Sequence, residues 1–179
     1  MPASDRAVTL HLVRHAHALE HDASGDDAQR MLSPKGVRQT ALLDRALRAR
    51  GVGLGLLASS PRRRAVQTAA GLDLGATLQV VDALDAGDPE AIVRALRAEL
   101  PSSGGGDAIA VGHQPSLSQL TAFLLTGSAE GASVAFGTAT IATFTGALGG
   151  GGMTLVSLVP MQLTRALLGA ASETADDEG

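Results

Sequence analysis

Two rhythms of apolar residues alternate along this chain. Short dense runs such as Ala7–Arg14, with Val8, Leu10, Leu12 and Val13, have the length and composition of buried strands. Longer stretches spread their apolar residues around one side of a helix. Ser33 is an N-cap and Pro34 the first residue of a helix reaching about Arg50, with Val37, Ala41, Leu42 and Leu47 on its apolar side and Gly51 as its stop. Leu54–Ala58 is a second strand ending in Ser59-Ser60-Pro61, and a helix runs from there to about Leu72. Thr77–Val81 is a third strand, and Asp88-Pro89 opens a helix that ends before Pro101. The stretch 102–107 is a flexible loop before a fourth strand, Ala108–Val111. Gly112-His113-Gln114-Pro115 closes that strand and opens a helix carrying Leu117, Leu120, Phe123 and Leu124. A loop near Gly127–Gly131 leads to strands at about Thr138–Thr145 and Met153–Leu158, joined through Gly146–Gly152 as a hairpin.

Strands alternating with helices predict an α/β three-layer sandwich: a mostly parallel central sheet, helices on both faces and a C-terminal antiparallel hairpin. No repeat or linker divides the sequence, so residues 1–171 are expected to form one domain, with residues 172–179 an acidic, disordered tail. Aromatic residues make up only 2% of the chain, which leaves the core to Leu, Val, Ile and Ala and removes the stacking platform that single-stranded nucleic acid needs. A formal charge of −4 offers no basic surface to DNA or RNA. The absence of cysteine excludes disulfides, thiolate metal sites and a cysteine nucleophile. No apolar run approaches the ~20 residues of a membrane span. The segment MPASDRAV lacks the apolar core of a secretory signal, so a cytoplasmic location is expected.

In sheets of this kind, ligands bind beyond the C-terminal ends of the strands. Three strand exits carry polar chemistry: Arg14-His15, Ser59-Ser60-Pro61 and Gly112-His113. With Arg64 one turn further on, parallel strands would bring Arg14, His15, Arg64 and His113 to one pocket. Two guanidiniums make a clamp for a phosphate dianion, and the helix starts after Pro61 and Pro115 add positive potential. A neutral imidazole there can attack phosphorus in line, form a phosphohistidine and be released by water. A second histidine can stabilise charge on the transferring group. The arginines supply the cationic clamp, so no metal or other cofactor is required.

At these residues the chain resembles the histidine phosphatase, or phosphoglycerate-mutase-like, superfamily. Arg14-His15-Ala16 resembles its Arg-His-Gly motif and Leu32–Thr40 its Leu-Thr-x-x-Gly-x-x-Gln stretch. Ser59–Thr68 resembles Ser-Ser-x-x-x-Arg-x-x-x-Thr, and Val111–Leu120 the Gly-His motif. Chain length and the segment Gly137–Phe144 look most like SixA-type phosphohistidine phosphatases. The resemblance implies His15 as nucleophile, with Arg14, Arg64 and His113 binding phosphate, and a phosphorylated protein or small phosphorylated molecule as partner. Protein phosphohistidine is the expected substrate. The alternatives are a phosphatase of small esters or anhydrides and a non-catalytic phosphate-binding module.

Two departures stand out. Ala16 replaces glycine, so the turn after His15 must accept a Cβ. Larger relatives carry an acidic residue after the third strand to protonate an alkoxide leaving group. Here Asp82 and Asp85 are the candidate general acids, with surface or capping roles as the plainer reading. A phosphoimidazole can leave as neutral imidazole without such an acid, which favours phosphohistidine over sugar phosphates.

Plainer readings attach to other residues too. Arg62 and Arg63 read as a solvated helix face or contacts for an acidic protein. His11, His15 and His17 share strand parity, but His11 lies inside the apolar run and no carboxylate pairs with the set, so zinc is disfavoured. His17 and His21 fit the pocket mouth or solvent. Ser33 is an N-cap, Thr138 and Thr140 are strand threonines, and Gln39 and Thr68 are helix positions without an assigned role.

Overall fold

The strand β1 (Ala7–Arg14) sits inside a six-stranded sheet, and its alternation divides the core. Leu10 and Leu12 join one apolar cluster, while Val13 joins the other. The computed structural model describes residues 7–86, 88–101 and 106–176. After β1 come α1 (Pro34–Ala49), β2 (Leu54–Ser59), α2 (Arg63–Ala70), β3 (Leu78–Val80), α3 (Ala83–Ala86) and α4 (Pro89–Glu99). Then follow β4 (Asp107–Gly112), α5 (Ser116–Thr126), β5 (Ile141–Ala147), β6 (Met153–Val159) and α6 (Met161–Asp176).

The sheet order is β3-β2-β4-β1-β5-β6. The first four strands are parallel to one another, and β5 runs antiparallel to both β1 and β6. Ile92 and Leu96 of α4 and Leu117, Leu120 and Leu124 of α5 pack on one face. Leu43 and Leu47 of α1, Ala65 and Ala69 of α2 and Met161 of α6 pack on the other. This is the expected sandwich. Register then decides where the chemistry lies: Arg14 pairs with Gly112 and Ser59 with Val111. Three adjacent strands therefore end level, delivering His15, Ser60 and His113 to one rim.

Several local expectations give way. In α1 the buried side is Gly36, Gln39, Thr40, Leu43 and Leu47, while Val37 is 59% exposed and Ala41 is exposed. The first two turns of α1 pack against the loop after β1, so small and polar residues face inward there. α2 begins at Arg63, since Arg62 is extended and serves as its N-cap residue. β5 begins at Ile141, because Thr138–Thr140 form a turn in which Ala139 takes φ 58. A 3₁₀ turn at Asp27–Gln29, the short α3 and the whole of α6 were not anticipated by the apolar pattern. α6 runs to Asp176, into the stretch expected as a tail; residues 177–179, like 102–105 of the expected loop, lie outside the described residues.

Candidate active site

The level strand ends bring Arg14, His15, Arg64 and His113 together as the sequence anticipates. His15, Arg64 and His113 are buried and Arg14 is half-buried. The two imidazole rings lie 5.0 Å apart, and Arg64 Nε stands 3.3 Å from His15 Nε2. The backbone continues the strand ladder to the site, with His15 N–H donating to Gly112 O and Ser60 N–H to Val111 O, both at 3.0 Å. Arg14 donates to Phe136 O at 2.6 Å, while its Nε is buried without a hydrogen-bond partner.

His15 has one available tautomer. Its Nδ1 lies 2.8 Å from the carbonyl of Ala16, which can only accept, so the proton resides on Nδ1. The lone pair is therefore on Nε2, beside Arg64. Burial pushes the His15 pKa down to about 4; the Ala16 bond opposes this, and Arg64, Arg14 and Arg30 reinforce it. The imidazole is neutral at pH 7 and carries its lone pair inside a cationic pocket. Burial, with His15 and the nearby arginines, lowers His113 to about 3. Burial and then Arg64 lower the pKa of Arg14.

Residues whose roles the sequence left open hold the loop after β1. Ala16 N–H donates to Thr68 Oγ1 at 3.0 Å, and that hydroxyl donates to Arg64 O at 2.7 Å. His17 N–H donates to Gln39 Oε1 at 2.8 Å, while Gln39 Nε2 reaches Thr138 Oγ1 at 3.4 Å. Ser33 caps α1 by accepting from Gly36 N–H at 3.1 Å and bonds His17 Nδ1 at 2.8 Å. Gln67 accepts from Leu32 N–H at 2.8 Å. Gly36 is required by proximity, since a Cβ there would fall 2.0 Å from His17 O. Ala16 needs no such freedom: its φ is not positive, and its methyl is fully buried in the second core cluster. Ala139 N–H donates to Arg14 O at 3.0 Å, and Arg14 N–H to Thr140 O at 3.2 Å. The left-handed turn thus seals the tip of β1.

The sequence reading missed Asp27. Its carboxylate pairs with Arg30 at 2.7 Å, Arg64 at 3.0 Å and Arg62, and its carbonyl accepts from Arg64 at 2.7 Å. The bond from Arg30, then Arg64, holds the carboxyl far below its usual range despite some burial. The i, i+3 spacing of Asp27 and Arg30 was the only available signal, and it says nothing about Arg64. Arg62 also donates to Asp85, so it is a structural cation between two carboxylates and not a solvated helix face; Arg63 is exposed as expected. Asp82 is exposed just before α3. Neither candidate acid hydrogen-bonds to Arg14, His15, Arg64 or His113. The histidines on β1 parity diverge: His11 Nδ1 bonds Thr143 Oγ1 at 3.0 Å, and His17 bonds Ser33. His21 is exposed. Among the described residues, no three His, Asp or Glu side chains form a metal-binding group. No helix among them is long and apolar enough to cross a membrane.

Residues 10–88 match the family model of the histidine phosphatase superfamily, branch 1. No curated protein matches the chain. The fold is similar to that of the protein histidine phosphatase SixA solved with tungstate, at 24% identity and TM-score 0.75, covering 86% of this chain and 97% of that one. It is similar to a putative phosphohistidine phosphatase SixA from Nakamurella multipartitia, at 25% identity, TM-score 0.69 and coverage of 86% and 95%. A mycobacterial glucosyl-3-phosphoglycerate phosphatase matches at 19% identity, TM-score 0.64 and coverage of 87% and 99%.

Proposed function

We propose that the chain is a member of the histidine phosphatase superfamily, whose model matches residues 10–88, and that it is a metal-independent phosphatase that works through His15 on phosphohistidine carried by a protein. The match to the family model, together with the fold, supports phosphatase activity. The observation that carries the mechanism is the His15 ring, neutral at pH 7, protonated on Nδ1 and presenting Nε2 beside Arg64. In the first step a bond forms from Nε2 to phosphorus as the bond from phosphorus to the substrate nitrogen breaks. The leaving imidazole, protonated on its distal nitrogen, departs neutral. Water then attacks phosphorus and releases inorganic phosphate, restoring His15. Arg14 and Arg64 offset the charge of the phosphoryl oxygens, and His113 donates to one of them.

The carboxylates support the substrate class. Asp27 and Asp85 are both engaged by arginines, and Asp82 is exposed. An alkyl phosphate needs a proton donor for its leaving oxygen, whereas a phosphoimidazole does not. Likeness to SixA, itself a protein histidine phosphatase, supports the same substrate. The test is phosphate release, with EDTA present, from a phosphohistidine protein and from an alkyl phosphate. Faster release from the phosphohistidine protein, lost in His15→Ala, is expected. Preference for the alkyl ester overturns the substrate, and equal rates in the variant overturn the nucleophile.

A further inference from the structure

We propose that Ser60 is a positioning residue that sets the tautomer of His113, placing its proton on Nδ1. Ser60 is fully buried, and its Oγ lies 2.7 Å from His113 Nε2. The same oxygen accepts from Arg62 N–H at 3.3 Å. An oxygen receiving that donor keeps one hydrogen of its own to give. The acceptor within reach is His113 Nε2.

The imidazole is neutral at neutral pH, since burial first, then His15 and the arginines, lowers its pKa to about 3. One ring nitrogen alone carries a proton. With the serine hydroxyl donating to Nε2, that proton must be on Nδ1, which is buried and has no hydrogen-bond partner within the protein. The reverse arrangement is worse on every count. Nε2–H would donate to Ser60, the serine hydrogen would lose its acceptor in a fully buried position, and Nδ1 would present a bare lone pair. Two buried groups would then be unsatisfied where the first arrangement leaves one. That one is a donor, 7% exposed with its residue, on a ring 5.0 Å from the nucleophilic imidazole.

The consequence for chemistry rests on the phosphatase reading: a Nδ1–H donor stabilises charge on a phosphoryl oxygen, whereas a Nδ1 lone pair repels it. The strand exit Ser59-Ser60-Pro61 thereby acts on the reaction through another residue. The tautomer itself is independent of turnover.

The experiment is nitrogen NMR of the full chain with ¹⁵N-labelled histidine at pH 7, His113 being assigned by its loss in His113→Gln. The expected spectrum has a protonated, pyrrole-type Nδ1 and a pyridine-type Nε2. Ser60→Ala should move the proton to Nε2, and Ser60→Thr, which keeps the hydroxyl, should restore the wild-type pattern. In the phosphatase assay Ser60→Ala should lower kcat by roughly 10²-fold, as loss of one charge-stabilising donor does, with a smaller change in KM. A protonated Nε2 in the wild type overturns the proposal, whether or not Ser60→Ala folds. So does an unchanged tautomer in Ser60→Ala. A wild type with the expected tautomer but no phosphatase activity overturns the function and leaves the role of Ser60 in place.

Discussion

Among single residues, the proposed chemistry depends on a histidine kept neutral. An ordinary imidazole would be half protonated near pH 6.5, which removes the lone pair that the proposed mechanism uses to attack phosphorus. Burial, reinforced by Arg64, Arg14 and Arg30 against the bond to Ala16 O, moves the His15 transition to about 4. The Cε1 proton of His15, followed by NMR in the substrate-free protein, should therefore titrate near pH 4. A midpoint near 6.5 contradicts the burial argument. Arg14, His15, Arg64 and His113 were legible in the sequence because each stands at a strand exit or just beyond one, in a polar break after an apolar run. Asp27 was not, since a carboxylate in an acidic loop looks like solvated charge until the fold carries it onto Arg62 and Arg64.

At the scale of elements, the loop after β1 is held by α1 and α2. Gly36 marks the closest approach, with space for a Cβ denied by His17 O at 2.0 Å. Gly36→Ala must push α1 from the loop, costing at least about 1–3 kcal/mol as overpacking does. Gly53 has nothing within 4 Å and no positive φ. Gly53→Ala should therefore change stability by less than about 0.5 kcal/mol. Urea unfolding of the pair checks both, and equal effects would contradict the tight seating of α1 on the loop. Long apolar runs made β1, β2 and β4 readable, because parallel strands buried on both faces lack polar alternation. α6 was unreadable for the opposite reason: Met161 and Thr164 are buried while Leu163 and Leu167 are exposed, so its apolar residues form no clean stripe. The start of β5 was misread because Thr-Ala-Thr has strand propensity, whereas Ala139 adopts a left-handed turn that closes on Arg14.

At the scale of the whole molecule, His11, His15 and His113 are buried with lowered pKa values, each chiefly by desolvation. The unfolded chain binds protons at these sites near pH 6.5, before the folded chain does. Stability is therefore fully present above that pH and declines as pH falls toward about 4 for His15 and about 3 for His113. Each histidine contributes a slope of up to about 1.4 kcal/mol per pH unit within its window. Urea unfolding at pH 7, 6 and 5 should show a progressive loss, and stability that is flat or rises toward pH 5 contradicts it. The proposed mechanism is covalent, with phosphorus passing through His15. It is tested most directly by quenching the protein during turnover of a phosphorus-labelled phosphohistidine protein and mapping the label. An alkali-stable, acid-labile phosphoryl group on His15 that is missing from His15→Ala is expected. Label absent from His15 in an active enzyme, or carried by another residue, contradicts it.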